Sequence, residues 1–250
     1  MKLDILLPNS LSEIPLIRYQ EFLAMKEKSN DEELIANKMI QIFCGLKLGE
    51  VAKIKVKDLN KLIKHFTEVF SERPQLVRHF KIKDIEFGFI PNLENISFGE
   101  YVDIEHHLKD WSTYHKAMAV MFRPIKEKQK DKYSIIDYEP NEDMQELMKF
   151  APLDVAISAS FFLQSLGSEL LKATLTYLRN ELTKTKDLTN FRKEFSLANN
   201  GVGIQVYMDS LTATLQSLTQ LQDTSLLNVL PILRSRNKKT KLKAEKLNDK

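Results

Sequence analysis

Between Ser97 and Ile125 the chain reads SFGEYVDIEHHLKDWSTYHKAMAVMFRPI, and this stretch constrains the fold more than any other. Tyr101, Ile104, Leu108, Trp111, His115, Met118 and Phe122 follow one another at alternating steps of three and four, the spacing of one continuous helical stripe. Ser97 followed by Glu100 is a capping-box start: the hydroxyl accepts from the backbone three residues on, and the carboxylate reaches back. The spacing predicts a single helix over 97–122, ended by Pro124, with Asp103, His107, Asp110 and Tyr114 on the side opposite the stripe. Burying such a stripe contributes about 1.5–3 kcal/mol per large apolar side chain.

Around this helix the sequence predicts a mainly α protein. Residues 1–95 are expected to form a small α+β part with two short hairpins and two to three helices. The first hairpin is expected in LDILLPNSLSEIPLIRY, around the Pro-Asn-Ser turn, and the second in HFKIKDIEFGFI. Asp31 is expected to open one helix, loosened at Gly45 and Gly49, and Asp58 to cap another carrying Leu59, Leu62, Ile63, Phe66 and Phe70 on one side. Residues 96–233 are expected to form a helical bundle built on the 97–122 and 152–184 helices, the latter with Pro152 in its first turn. Between them, residues 126–132 read as a solvated loop, YSIIDYE as a short strand able to pair with MFRPI or with the earlier strands, and Asn141 as the cap of a short helix.

Chemistry-bearing patterns are few. Asp103, His107 and Asp110 can share one side of a helix, but HExxH is absent and no second cluster completes a metal site. The sole cysteine, Cys44, lies in the apolar run IFCGLKLG, surroundings that leave a thiol inert and exclude an internal disulfide framework. No GxSxG elbow, phosphate loop or dinucleotide fingerprint occurs. A non-enzymatic protein without cofactor is expected. The run Val155–Ser168 is too short and too polar for a membrane span, and no secretory leader is read at the start.

Two C-terminal features point to partners instead. In the expected helix Ile204–Leu221, Met208, Leu211, Leu215 and Leu218 make an apolar stripe while the rest is Ser, Thr and Gln, with Asp209 the lone charge. A face so poor in charge costs little to desolvate and suits contact with a partner or another copy, the alternative being packing within its own domain. Residues 234–250 then hold eight Lys or Arg against Glu245 and Asp249, an excess of six in a chain of net charge +3, which leaves −3 for the rest. Without a core-forming pattern this tail is expected to be disordered, and a solvated tail that serves solubility alone is one reading of it. Arg234, Arg236, Lys238, Lys239, Lys241 and Lys243 are its candidate contacts to an acidic partner or, weakly and without sequence preference, to nucleic acid phosphates.

The order and composition of LPNSLSEIPLIRYQEFLAM, DEELIANKMIQIFCGLKLGEVAKIKVKDLNKLIKHF and IPNLENISFGEYVDIEHHLKDWSTYHKAMAVMFRPI, with YSIIDYEP after it, resemble morphogenesis proteins of tailed bacteriophages. The likeness is to the tail and baseplate assembly chaperone group of large phages, including those of Bacteroidetes hosts. It implies a non-enzymatic assembly protein that binds phage structural proteins through helical surfaces, acts in the host cytoplasm, and carries no transferable site residue. Two alternatives stand beside it: a resident virion component such as a portal-proximal connector, ring or packaged protein, self-associating through Ile204–Leu221, and a DNA-binding accessory protein acting through the tail.

Overall fold

The computed structural model describes residues 5–130 and 132–184, and beyond them positions 212, 213 and 216 alone. Among these residues the protein is mostly helical, with eight α-helices and one small antiparallel sheet of four strands. They fall into two compact units that divide after Ala159.

The first unit begins with α1 (Leu16–Lys26), α2 (Glu32–Cys44), the single turn α3 (Leu48–Val51) and α4 (Val56–Phe70). Asp31 opens α2 by accepting from the Glu33 and Leu34 amides, and Gly45 closes it in the left-handed conformation (φ 66°) that glycine adopts without steric cost. Facing stripes of these helices bring aromatic rings together. Phe43 lies 5.2–5.6 Å, centroid to centroid, from Phe22, Phe66 and Phe70, and Tyr19 joins them 6.1 Å from Phe70. The helix expected to start at Asp58 starts earlier: Lys55 is its extended N-cap, and Asp58 sits in the first turn, where the helix dipole favours a carboxylate.

Among the described residues, which begin at position 5, no N-terminal hairpin forms. Leu11–Glu13 is a 3-10 turn, and Pro15 leads directly into α1. The extended backbone here pairs with a distant segment instead of its own continuation. Leu16 and Ile17 donate to the carbonyls of Ala151 and Lys149, Leu153 donates to Ile14, and Pro15 opposes Pro152. Alternating apolar residues announce an extended chain without naming its partner.

The sheet runs β1 (His79–Ile82), β2 (Ile85–Phe89), β3 (Phe122–Gln129) and β4 (Lys132–Ile135), each paired antiparallel with the next. It therefore draws strands from both sides of residue 95. The β1–β2 hairpin follows the sequence reading and YSIIDYE takes the first of its two open pairings, with MFRPI, whereas most of the expected 126–132 loop is strand, with Lys128 opposite Tyr133. Gly88 of β2 is required by close approach, since a Cβ there would stand 2.5 Å from the Tyr133 ring.

The largest departure is the organising helix itself. It is broken into α5 (Phe98–Leu108) and α6 (Tyr114–Met121), and Phe122 passes straight into β3 with Pro124 inside the strand opposite Phe87. The break has a local cause. Asp110 accepts from both the amide and the hydroxyl of Ser112, at 2.8 and 2.7 Å, giving the backbone a turn to prefer over helix. Of the α6 residues, Tyr114, His115, Ala117, Met118, Val120 and Met121 are all buried, so the short helix, flanked by α5 and α7 (Glu142–Met148), is the true centre. Asn141 caps α7 as its sequence predicts.

The long helix α8 (Leu153–Lys184) begins in the first unit with Leu153, Val155, Ala156, Ile157 and Ala159 buried. Tyr114 donates to the Ala156 carbonyl, and the Val77 amide donates to Ser158. The second unit begins at Ser160 and contains the rest of α8, with Ser168 and Leu175 buried and Leu170 and Tyr177 exposed. The bundle expected over 96–233 had the undivided 97–122 helix as one of its two members, and that member does not exist.

Candidate functional site

Met208, Leu211, Leu215 and Leu218, and likewise Arg234, Arg236, Lys238, Lys239, Lys241 and Lys243, lie outside the described residues. The surface that stands out within them was not singled out from the sequence, and it belongs to α5.

The rotation of α5 is set by charge. Ser97 and Glu100 form the expected capping box, the Ser97 amide donating to Glu100 Oε2 (2.6 Å) and the Glu100 amide to Ser97 Oγ (3.2 Å). The other carboxylate oxygen accepts from Arg123 Nη2 on β3 at 2.6 Å, with both side chains near 10 % exposed (8 % and 11 %). Burial pushes the Glu100 carboxyl up, but the Ser97 hydrogen bonds and the Arg123 guanidinium outweigh it and hold the group below the ordinary carboxylate range. Arg123 also lies 5.9 Å from the centre of the Tyr138 ring. The Tyr138 hydroxyl donates to Asp103, one turn along α5 from Glu100, and its pKa is raised by burial first and then by that bond. A cleft of about 100 Å³ opens beside this network, lined among others by Ala119, Phe122, Arg123, Ile136, Tyr138 and Met144.

Turning Glu100 inward turns apolar side chains outward. Phe98, Tyr101 and Val102, at i, i+3 and i+4, share the opposite flank, and all three are exposed, Phe98 at 82 %. The stripe read from Tyr101 through Phe122 thus fails at its first member and holds at His115, Met118 and Phe122, which are buried; Tyr114, expected on the opposite polar side, is buried as well, because the turn at Asp110 and Ser112 resets the rotation before α6 begins. Two cues were present in the sequence. The capping box fixes where Glu100 points, and Phe98, Tyr101 and Val102 already carry the spacing of a second face.

The polar side expected from Asp103, His107 and Asp110 does not assemble. Asp103 is engaged by Tyr138, Asp110 serves the turn after α5, and His107 has a buried Nδ1 with no partner among the described residues. No group of three or more His, Cys, Asp or Glu among the described residues is placed to hold a metal ion. His115 is a core histidine: Gln20 Nε2 donates to its Nδ1 (3.0 Å) and to the Trp111 carbonyl (2.6 Å), so the ring's own proton sits on Nε2. Burial, reinforced by Lys149, Lys116 and His107 and opposed by Glu146, lowers its pKa to about 4. Cys44 is buried at the end of α2, and burial pushes its thiol up to about 11, which removes thiolate reactivity at neutral pH. Among the described residues no helix is long and apolar enough to cross a membrane.

No protein-family model, curated protein or solved structure matches this chain.

Proposed function

We propose that this is a non-enzymatic bacteriophage morphogenesis protein of the tail or baseplate assembly chaperone kind, which holds phage structural proteins in the host cytoplasm before they assemble. The observation that supports the reading best is the outward apolar flank of α5: two aromatic residues and a valine kept in water by a helix whose carboxylate is turned inward and paired. An isolated surface apolar residue is ordinary, but three adjacent ones on a helix held in place by a buried ion pair suit recognition of an apolar segment on a partner. The resemblance noted in the sequence supplies the kind of partner. The helical bundle around α8 and the disordered basic tail after residue 233 belong to the same proposal, with the 208–218 stripe as a second contact.

Quantitative mass spectrometry of purified mature particles beside the infected-cell lysate tests it. Abundance in the lysate with absence from particles is the expected result. Several copies per particle would overturn the chaperone reading in favour of a structural component of the virion.

A further inference from the structure

We propose that the lysine-rich segment 47–64, which runs through α3 into the first turns of α4, docks on the acidic segment 137–146 of a second copy of this chain, so that the protein associates head to tail. From Lys47 to Lys64 the chain carries Lys47, Lys53, Lys55, Lys57, Lys61 and Lys64 against only Glu50 and Asp58, an excess of four in a body whose remaining charge is negative. Lys61 pairs with Asp58 and Lys64 with Glu68. Lys47, Lys53, Lys55 and Lys57 are exposed, and their ammonium groups form no ion pair among the described residues, the Glu50 carboxylate accepting from the Lys47 backbone amide instead. Two aliphatic side chains stand among them in water, Leu48 at 56 % and Val56 at 69 % exposed. Phosphate alone would satisfy the lysines, but exposed leucine and valine at the same place fit a protein surface that is acidic and apolar together.

The chain itself presents such a surface. From Asp137 to Glu146 there are five carboxylates and no Lys or Arg. Glu146 pairs with Lys149, whereas Asp137, Glu139, Glu142 and Asp143 are exposed and have no cationic partner among the described residues. Ile136, exposed at the edge of this segment, corresponds to Leu48 and Val56. No ion pair joins the two segments within the chain among the described residues, so each is available to another copy. Because the two patches are different, the contact is heterologous and repeats, closing into a ring or extending as a filament according to the rotation between copies. Charge sets the orientation, and the aliphatic residues add burial that salt does not screen.

Light scattering and sedimentation of the purified full chain at low and high salt test this with two triple variants, Lys53→Glu/Lys55→Glu/Lys57→Glu and Glu139→Lys/Glu142→Lys/Asp143→Lys. Wild type is expected to associate at low salt and to dissociate as salt rises. Each variant alone, with two patches of one sign, is expected to lose at least about tenfold in association constant, equivalent to about 1.4 kcal/mol. Mixed in equal amounts, the two variants are expected to associate with each other, a result that a folding defect in either would not give. A wild type that stays monomeric at low salt, variants that associate like wild type, or a mixture that stays monomeric would each overturn the proposal. So would loss of the salt-sensitive association on Leu215→Glu while the charge variants retain it. None of these outcomes changes the particle-against-lysate distribution, so this proposal and the assembly-chaperone reading fail separately.

Discussion

Arg123→Met is expected to destabilise the protein by about 3–5 kcal/mol, because it leaves the Glu100 carboxylate buried without its counter-ion. Both groups are almost fully withdrawn from water, so little of this cost is screened. The double variant Glu100→Gln/Arg123→Met should recover most of the loss, since a neutral amide can still accept from the Ser97 amide and demands no cation. Urea denaturation of the four species gives the coupling directly. The pH dependence carries a definite sign. Glu100's carboxyl is held below its unfolded value, so the stability it contributes is fully present above the ordinary carboxylate pKa and is lost as pH falls through the folded value. Arg123→Met should weaken that acid dependence. Additive single-site losses, with no coupling between 100 and 123, would show that the ion pair does not set the rotation of α5.

The second large effect comes from His115 and lies at higher pH. Its folded pKa is about 4, against about 6.5 for an unperturbed imidazole, so below pH 6.5 the unfolded chain takes up a proton that the folded protein refuses. Stability therefore falls with pH from about 6.5 down to about 4. Between pH 7 and pH 5 the loss should be about 2 kcal/mol, at 1.36 kcal/mol per unit. Burial accounts for most of the refusal, and the groups facing His115 add to it: Gln20 already donates to Nδ1, and Lys149, Lys116 and His107 oppose a further positive charge while Glu146 favours it. His115→Gln lowers stability at pH 7 but should remove most of the slope between pH 7 and pH 5. An unchanged slope in that variant would assign it to other groups.

How far the sequence revealed this structure depended on whether a signal was local. The Asp31 and Asn141 caps, the break at Gly45, the β1–β2 hairpin and the start of α8 beside Pro152 were all legible, because each is decided within a few residues. The N-terminal extended run was legible as extended but not as a partner of residues 149–153, a choice made far away in sequence. The 97–122 stripe misled for a different reason. Steps of three and four continue through Trp111, yet the Asp110 turn competes with the helix there, and the Glu100–Arg123 pair rotates the first half so that Tyr101 faces water. The α5 surface follows from that pair, and its cationic member comes from a strand that the sequence reading had placed inside and just after the helix. The Met208–Leu218 stripe and the basic tail, the two surfaces the sequence did offer, lie outside the described residues, so they and the α5 flank remain separate candidates for partner contact.

The central claim is that α5 meets a partner through the flank carrying Phe98, Tyr101 and Val102. Photo-crosslinking tests it most directly: a benzophenone amino acid at position 98, and for comparison at position 211, in protein expressed during infection, with the adducts identified by mass spectrometry. The account expects position 98 to crosslink to one phage structural protein in the lysate, and Tyr101→Asp/Val102→Asp to abolish that adduct while thermal stability is retained. A position 98 that yields no protein adduct while position 211 does would contradict it and move the contact from α5 to the C-terminal stripe.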